Sequence, residues 1–240
     1  MPGYIMHLAE AGLILKQLEQ KRGQAYSPDW RNAFFLGALL PDTKVGLEKY
    51  HTHFWTEEDI KKLPRAPHLS LFLEEYGAYL WEPLILGYLA HLHLDNRYVK
   101  KYWPSVFRLL NEKGEETEEN EAITGVWLIA QNRLVEKKAF FSREWFYGDY
   151  SALNAYLIQR YEVQTPVYTP DMTFPVSVRQ VREADLTGLL ESLQKFLQEE
   201  DGGLEPKVRV LEIDGLERFL EETAEEFIKA GYIQAEKRTV

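Results

Sequence analysis

The sequence lacks cysteine altogether over its 240 residues. Disulfides, thiolate zinc sites, iron–sulfur clusters and cysteine nucleophiles are therefore excluded. It also lacks a long apolar run: the most apolar stretch, residues 84–94, contains two histidines and is far shorter than the roughly 20 residues that a bilayer span requires. A shorter apolar run at residues 11–15 lies between Glu10 and Lys16, unlike the uncharged core of a secretory signal. We expect a cytoplasmic protein without a transmembrane segment.

Basic residues are scarce relative to acidic ones. Lys and Arg number 28 against 38 Asp and Glu, so the net charge is −10. Duplex nucleic acid and anionic membrane surfaces require basic patches, and we expect no nucleic-acid duplex as a partner. A small phosphate-ester substrate would need a local positive centre in so acidic a chain, and a bound metal ion is one candidate.

The spacing of apolar residues is mostly helical, which predicts an all-α fold. Ser27 followed by Pro28 is a typical helix start, and Pro41 should end that helix. Residues 84–94 are apolar on nearly every side, which places their helix at the centre of a bundle. Pro83 should begin that helix or kink a longer one. The predicted helices cover residues 4–21, 28–40, 57–63, 68–103, 122–138, 150–161, 181–198 and 213–230.

Two segments are expected to be extended. Residues 165–178 contain three prolines and several β-branched residues, which favours a small extended or hairpin-like segment. A short strand is expected over residues 208–213, after the glycine pair Gly202-Gly203.

We interpret the chain as a single helical domain over residues 1–240, a multi-helix bundle with a metal site in its core. Residues 1–105 would form its metal-site half, and residues 165–240 could form a C-terminal helical appendage. The apolar face of the last predicted helix should bury against its own bundle rather than a partner.

All six histidines fall within the first 93 residues. Two lie in the most apolar helix, in the run Gly87-Tyr-Leu-Ala-His91-Leu-His93-Leu-Asp95. His91 and Asp95 are four residues apart, so they project from one helix face about 5–6 Å apart at Cβ, close enough to share a metal ion. His93 points to roughly the opposite face. A divalent cation would offset the cost of burying His91 and Asp95. The alternative is an ordinary pair of neighbouring side chains on the helix, without a metal ion.

A second carboxylate and two more histidines follow another apolar helix. The run Leu36-Gly-Ala-Leu-Leu-Pro41-Asp42 places a carboxylate just past the helix end, and the next loop carries His51-Thr-His53-Phe54. Asp42 either caps the next element or, with one of the two histidines, completes a coordination sphere begun by His91 and Asp95. Nitrogen and oxygen ligands without sulfur suit zinc, manganese or iron.

These motifs, with Met6-His7-Leu8 in the first predicted helix, resemble the zinc-dependent phospholipase C family. The fold of that family resembles that of fungal single-strand-specific nucleases. The resemblance covers about residues 1–105. It implies an all-α bundle that hydrolyses phosphate esters with a cluster of metal ions.

The resemblance also implies roles for five residues. Asp42, His53, His91 and Asp95 would ligate one ion, and His7 would ligate a second ion bridged to the first by Asp95. Asp42 would also lie beside the attacking water and act as the catalytic general base. Because no histidine follows His93, we expect one or two zinc ions rather than the family's three.

The predicted function is therefore a metal-dependent hydrolase of phosphate esters, phospholipase C-like, with zinc as cofactor and a small phosphate ester as substrate. Arg97 and Lys44 are candidates for binding the phosphate. The alternative is a non-catalytic helical protein with a single structural metal site. A third class of helical phosphohydrolases uses an adjacent His-Asp dipeptide, which this chain lacks.

Overall fold

The computed structural model describes residues 2–199 and 206–232. The chain is 58% helix and 7% strand, so the fold is mainly α, as predicted. The helices are α1 Tyr4–Arg22, α2 Pro28–Leu39, α3 Lys49–Thr52, α4 Leu69–Tyr76, α5 Pro83–Arg97, α6 Trp103–Val106, α7 Lys137–Phe140, α8 Phe146–Arg160, α9 Leu186–Glu199 and α10 Ile213–Lys229. No helix within the described ranges is long and apolar enough to cross a membrane.

Local sequence signals set several helix ends. The Ser27 hydroxyl accepts a hydrogen bond from the Trp30 N–H at 3.2 Å, and Pro28 is the first residue of α2. Pro83 begins α5, as predicted. The helical stretch predicted over residues 68–103 is divided into α4, α5 and α6, and a π-helical turn joins α5 to α6.

Two glycines, one in α2 and one in α5, allow the backbones of these two helices to touch. A Cβ atom at Gly37 would lie 2.1 Å from the Leu84 carbonyl oxygen, and one at Gly87 would lie 2.0 Å from the Phe34 carbonyl oxygen. Both distances are far shorter than any real contact, so only glycine permits these two backbones to touch. The contact brings the C-terminal end of α2 against the middle of α5, where His91 lies.

Helix α5 is the centre of the bundle. Its residues from Leu84 to Asn96 are all buried. This confirms the prediction that a helix with apolar residues on nearly every side lies at the centre of the bundle. Helices α1, α2, α4 and α10 surround it. The apolar face of α10 is buried in the same core, as predicted; it comprises Leu216, Phe219, Leu220 and Phe227.

Residues 107–136 contain a small antiparallel sheet, so the prediction of a helix over residues 122–138 is wrong. The strands are β1 Phe107–Leu110, β2 Gly125–Leu128 and β3 Arg133–Glu136, in the order β1-β2-β3. Phe107 of β1 pairs with Leu128 of β2, and Gly125 of β2 pairs with Glu136 of β3. Only the last two residues of the predicted helix are helical, in α7.

The pattern of burial explains why this segment forms strands. Val126 and Leu128 are buried while Trp127 between them is half-buried, which is the two-residue alternation of a strand. Asn132 has a φ of 50° in the connection between β2 and β3, a left-handed conformation that asparagine tolerates better than most residues. The apolar residues here fit both the helical and the strand period, and the turn at Asn132 favours the strands.

The other predicted extended segments contain no strand. Residues 165–178 are irregular, and the Asn32 side chain holds them to α2 by hydrogen bonds of 2.8 Å to both the N–H and the carbonyl oxygen of Val167. Residues 208–212 also form no strand pairing. The Asp149 carboxylate accepts hydrogen bonds from the N–H groups of residues 209–211 instead, at 2.6–2.9 Å.

Two smaller predictions differ from the structure or lie outside it. The helix predicted over residues 57–63 is a 3-10 turn, Asp59–Lys61, because the Asp59 carboxylate binds the Thr56 N–H and hydroxyl and closes the backbone into a tight turn. The predicted Gly202-Gly203 connection lies outside the described residues.

Candidate metal centre

The five residues predicted as ligands come together in the core. His7 lies on α1, Asp42 lies in the 3-10 turn that follows α2, and His53 follows α3 directly. His91 and Asp95 lie one turn apart on α5. All five are at most 5% exposed. The glycine contact between α2 and α5 therefore places Asp42 beside His91.

The ligand atoms of four residues lie at spacings that suit one cation. The Nε2 atom of His53 lies 3.2 Å from Asp95 Oδ2, 3.4 Å from Asp42 Oδ1 and 3.3 Å from His91 Nε2. His91 Nε2 lies 3.7 Å from the same two carboxylate atoms. A tetrahedral ion with bonds of about 2.0–2.1 Å places its ligand atoms about 3.3–3.4 Å apart. The five separations between the imidazole nitrogens and from them to the two carboxylates, 3.2–3.7 Å, are therefore close to those of ligands on one such ion.

The other ring nitrogen of each histidine is fixed by the protein. His91 Nδ1 donates to the Ala38 carbonyl oxygen at 2.8 Å, since a carbonyl can only accept. His53 Nδ1 lies 2.9 Å from the hydroxyl of Thr52, which in turn donates to the Lys49 carbonyl oxygen. Both neutral rings then present an unprotonated Nε2 to the centre, as in many histidine metal sites.

The electrostatics of the cluster favour ionised carboxylates. Burial opposes ionisation of Asp42, but neighbouring Lys49, His91 and His53 hold its pKa below the usual range. Burial likewise opposes ionisation of Asp95, and His53 and His7 hold its pKa well below the usual range. The pKa of His91 is lowered by burial and by His7, which favours the neutral ring.

His53 has the opposite tendency. Burial lowers its pKa, but Asp42 and Asp95 outweigh burial and raise it. Without a metal ion, a proton is therefore favoured on His53, and protons and a cation would compete for this centre.

His7 adds a second group of possible ligands with His91 and Asp95. Its ring stacks on that of His91, with centroids 3.6 Å apart and planes 9° from parallel. Its Nε2 lies 3.5 Å from Asp95 Oδ1. Among the described residues, neither nitrogen of His7 and neither oxygen of Asp95 has a hydrogen-bond partner. The cluster therefore holds buried polar atoms that the protein itself leaves unsatisfied.

The remaining histidines lie away from the cluster. His51 is exposed and contacts the Tyr50 ring, so His53 is the member of the pair that reaches the core. His93 faces away from His91, against Phe227, as predicted.

The two residues suggested for phosphate binding are engaged elsewhere. Lys44 pairs with Asp185 at 2.8 Å, and Arg97 pairs with Glu226 at 2.8 Å. Lys49, which the sequence reasoning missed, contacts Asp42 Oδ1 directly. Its pKa is raised by Asp42 and Asp95, although burial opposes this, so it stays charged. Nothing in its local sequence distinguishes it from neighbouring lysines.

A cleft of about 430 Å3 leads from the surface to this cluster. Asp42 and Lys49 line it on one side, and the first residues of α1 line it on another. The other walls come from α8 and α9, through Tyr150, Asn154, Ser192 and Leu193. Asp42 and Lys49 are therefore the part of the cluster that a molecule in the cleft would meet first.

Comparisons of the chain with protein-family models, with curated proteins and with solved structures found no significant match. The buried His and Asp residues define a candidate metal-binding helical protein, since these groups could hold a metal ion.

Proposed function

We propose that this chain binds zinc, or alternatively manganese or iron, through Asp42, His53, His91 and Asp95, and hydrolyses small phosphate esters. The observation that carries the proposal is the meeting of two imidazole nitrogens and two carboxylates at 3.2–3.7 Å in the core. The order of these residues along the chain resembles the zinc-dependent phospholipase C family, which favours the same chemistry.

Burial strengthens the argument for a cation. An ionised carboxylate is costly in the protein interior, and among the described ion pairs only the imidazoles of His7 and His53 lie within 3.5 Å of the Asp95 oxygens. One lysine contacts Asp42, but no Lys or Arg contacts Asp95 among the described ion pairs. A divalent ion would replace the proton that His53 otherwise holds and would add positive charge beside both carboxylates.

The cleft and its charges support a phosphate ester as the substrate. A bound divalent cation would supply Lewis acidity towards water and the phosphate oxygens. Lys49, although paired with Asp42, adds positive charge to the wall of the cleft, and this charge favours an anionic substrate there. The volume of the cleft suits a small organic ester.

Asp42 suits a ligand role better than the role of general base. Lys49, His91 and His53 keep its pKa low, and a carboxylate with a low pKa is a weak base. An ionised carboxylate at the cleft edge can nevertheless orient a water molecule by accepting its hydrogen bond. We therefore assign Asp42 to the metal and to the positioning of water.

One observation favours the alternative of a structural metal. Four protein ligands complete a tetrahedral sphere, and closed spheres are typical of structural zinc sites, whereas catalytic sites keep an open position. A closed site at Asp42, His53, His91 and Asp95 would join α2, α3 and α5 without catalysis.

A paired measurement separates the two functions. Zinc content by plasma mass spectrometry is expected to be at least one ion per chain, and p-nitrophenyl phosphate or bis-p-nitrophenyl phosphate is expected to release p-nitrophenol. Asp42→Asn should abolish turnover, and His51→Ala should leave it unchanged because His51 is exposed outside the cluster. Stoichiometric metal with no turnover on either ester, with zinc or manganese, would support the structural alternative.

A further inference from the structure

A second cleft, of about 310 Å3, lies apart from the cleft at the metal centre. The two clefts have no lining residue in common. Five of the residues that line the second cleft are aromatic, one is an arginine, and the others are a leucine and a proline. Small-molecule sites are typically lined in this way, by apolar and aromatic side chains with few polar groups. We call this site the aromatic cleft.

Four of its aromatic rings lie side by side and form what we call the aromatic wall. The centroid of the Phe146 ring lies 5.5 Å from that of Trp103, 5.7 Å from that of Phe141 and 6.0 Å from that of Tyr147. Rings at these separations attract one another, which holds the wall in shape. The Tyr147 side chain is nevertheless 54% exposed. The wall therefore offers apolar surface that a flat ring could cover.

Arg65 brings the only charge to the aromatic cleft among the described residues that line it. Its Cζ atom lies 5.3 Å from the centroid of the Trp55 ring, in a cation–π contact. Its Nε donates to the Asp59 carbonyl oxygen at 3.0 Å, and its Nη2 donates to the Ile60 carbonyl oxygen at 2.7 Å. These contacts fix the guanidinium group, and they leave both N–H groups of Nη1 unused.

The charge of Arg65 has no carboxylate partner among the described ion pairs. The nearest acidic residue in the sequence is Asp59, and its carboxylate is already bound by His68 at 2.6 Å. No Asp or Glu lines the aromatic cleft in the part of the chain that the structure describes. An anion that enters this cleft would therefore meet a positive charge and free donors without competition from a carboxylate.

We propose that the aromatic cleft binds a small aromatic carboxylate, with its ring against the aromatic wall and its carboxylate on Nη1 of Arg65. A single guanidinium group with one free nitrogen suits a singly charged anion, because the second charge of a phosphate would stay unpaired among the rings. The volume is at the lower end of the range for small-molecule sites, about 300–1,000 Å3, so the ligand should be small. This inference does not rest on the proposed hydrolase.

Calorimetric titration of the wild-type protein with three probes tests both parts of the ligand. Naphthoate carries a ring and a charge, its neutral amide carries the ring alone, and acetate carries the charge alone. Naphthoate is expected to bind with a Kd of about 1 mM or tighter, which is ordinary for a ligand of its size. The amide is expected to bind about 10-fold more weakly, and acetate is expected to give no measurable heat.

Two variants separate the contributions of the charge and the ring wall. Arg65→Gln is expected to weaken naphthoate binding by about 10-fold and to leave binding of the amide unchanged. Tyr147→Ala is expected to weaken both by about 3–10-fold, because it removes an aromatic contact. Arg31→Gln is the control, since it removes an equal charge from α2, where Arg31 pairs with Glu19; both affinities should stay unchanged.

Four results of these titrations would overturn the proposal. They are no measurable binding of naphthoate by the wild-type protein, equal affinity for naphthoate and its amide, unchanged naphthoate affinity in a folded Arg65→Gln protein, and unchanged naphthoate affinity in Tyr147→Ala. If circular dichroism shows that Arg65→Gln is unfolded, the comparison of the two probes on the wild type and on Tyr147→Ala decides.

The metal centre is a possible competitor for the probe, because carboxylates also bind metal ions and the Trp55 ring lies 5.3 Å from the His53 ring. The naphthoate titration is therefore repeated on protein treated with EDTA, with circular dichroism to verify the fold. We expect the same affinity. Loss of binding by folded, metal-free protein would assign the probe to the metal centre and overturn the proposal.

The outcomes also distinguish this inference from the proposed function. Naphthoate binding that depends on Arg65 and Tyr147, in a protein that turns over no ester, would contradict the hydrolase and leave the aromatic cleft standing as a binding site. Ester hydrolysis by a protein that does not bind naphthoate would do the reverse.

Discussion

Two imidazole nitrogens face each other at the centre of the cluster, 3.3 Å apart. The outer nitrogen of His91 is held by the Ala38 carbonyl oxygen and that of His53 by the Thr52 hydroxyl, so both rings are oriented before any ion binds. Such partners fix the ring orientation and tautomer of a metal-binding histidine. At the scale of single residues, the site is therefore preorganised for a cation.

His91→Ala is expected to lower zinc affinity by more than about 100-fold, because it removes a ligand rather than one of the partners that orient a ligand. The measurement is a competition titration against a chromogenic zinc chelator. His51→Ala is the matched control, since that ring is exposed outside the cluster. Equal zinc affinity in the His91→Ala and wild-type proteins would remove His91 from the site.

The sequence predicted the five clustered residues but missed Lys49, which contacts Asp42. The helical spacing of His91 and Asp95 indicated that they lie on one face. Asp42 and His53 were indicated by motifs that resemble those of the zinc-dependent phospholipase C family. Lys49 carried no such signal, because only the path of the chain before α3 brings its side chain to Asp42.

At the scale of elements, the crossing of α2 and α5 positions the site. Gly37 and Gly87 allow the two backbones to touch, and Gly87 lies four residues, about one turn, before His91. This contact lets the His91 ring reach the Ala38 carbonyl oxygen. The glycines in the two motifs thus serve packing, and the packing sets the distance between Asp42 and His91.

Gly87→Ala is expected to destabilise the protein by about 3 kcal/mol, because the new methyl group would collide with the Phe34 carbonyl rather than with a movable side chain. Gly12→Ala in α1 is the control. A Cβ there meets nothing within 4 Å, so it should stabilise the helix by up to about 1 kcal/mol. Urea unfolding measures both. Equal stability of the two variants would contradict the backbone contact.

Prediction of helices succeeded where the spacing of apolar residues and the residues that start a helix agreed. Ser27-Pro28 and Pro83 marked helix starts that the structure contains. It failed over residues 122–138, where the apolar pattern fits two periods and pairing with β1 decides the outcome. Pairing between distant strands is a tertiary effect, and the local pattern of one segment does not contain it.

At the scale of the whole molecule, the cluster joins helices that are distant in sequence. Its members come from α1, α5 and the segments that follow α2 and α3. An ion bound there would be bound by the folded chain only, since the unfolded chain scatters its ligands. Binding would then stabilise the entire fold through mass action.

Removal of metal with EDTA is accordingly expected to lower the melting temperature by about 5–10 °C. This corresponds to the stabilisation of about 2.7 kcal/mol that a ligand at 100 times its Kd provides, in a chain of this size. Differential scanning calorimetry gives the temperature, and mass spectrometry verifies that the zinc has gone. Re-addition of zinc should restore the original value. An unchanged melting temperature in verified metal-free protein would contradict this expectation.

The glycine contact between α2 and α5 has a kinetic consequence. Helices whose main chains already touch cannot slide past each other or part without breaking the core around them. Exchange of an ion through the interior of the bundle is thereby blocked, which leaves the edge formed by Asp42 and Lys49 as the route of entry and escape. An ion bound there would leave only as fast as its bonds to the buried ligands break, and it would pass Asp42 and Lys49 on the way out.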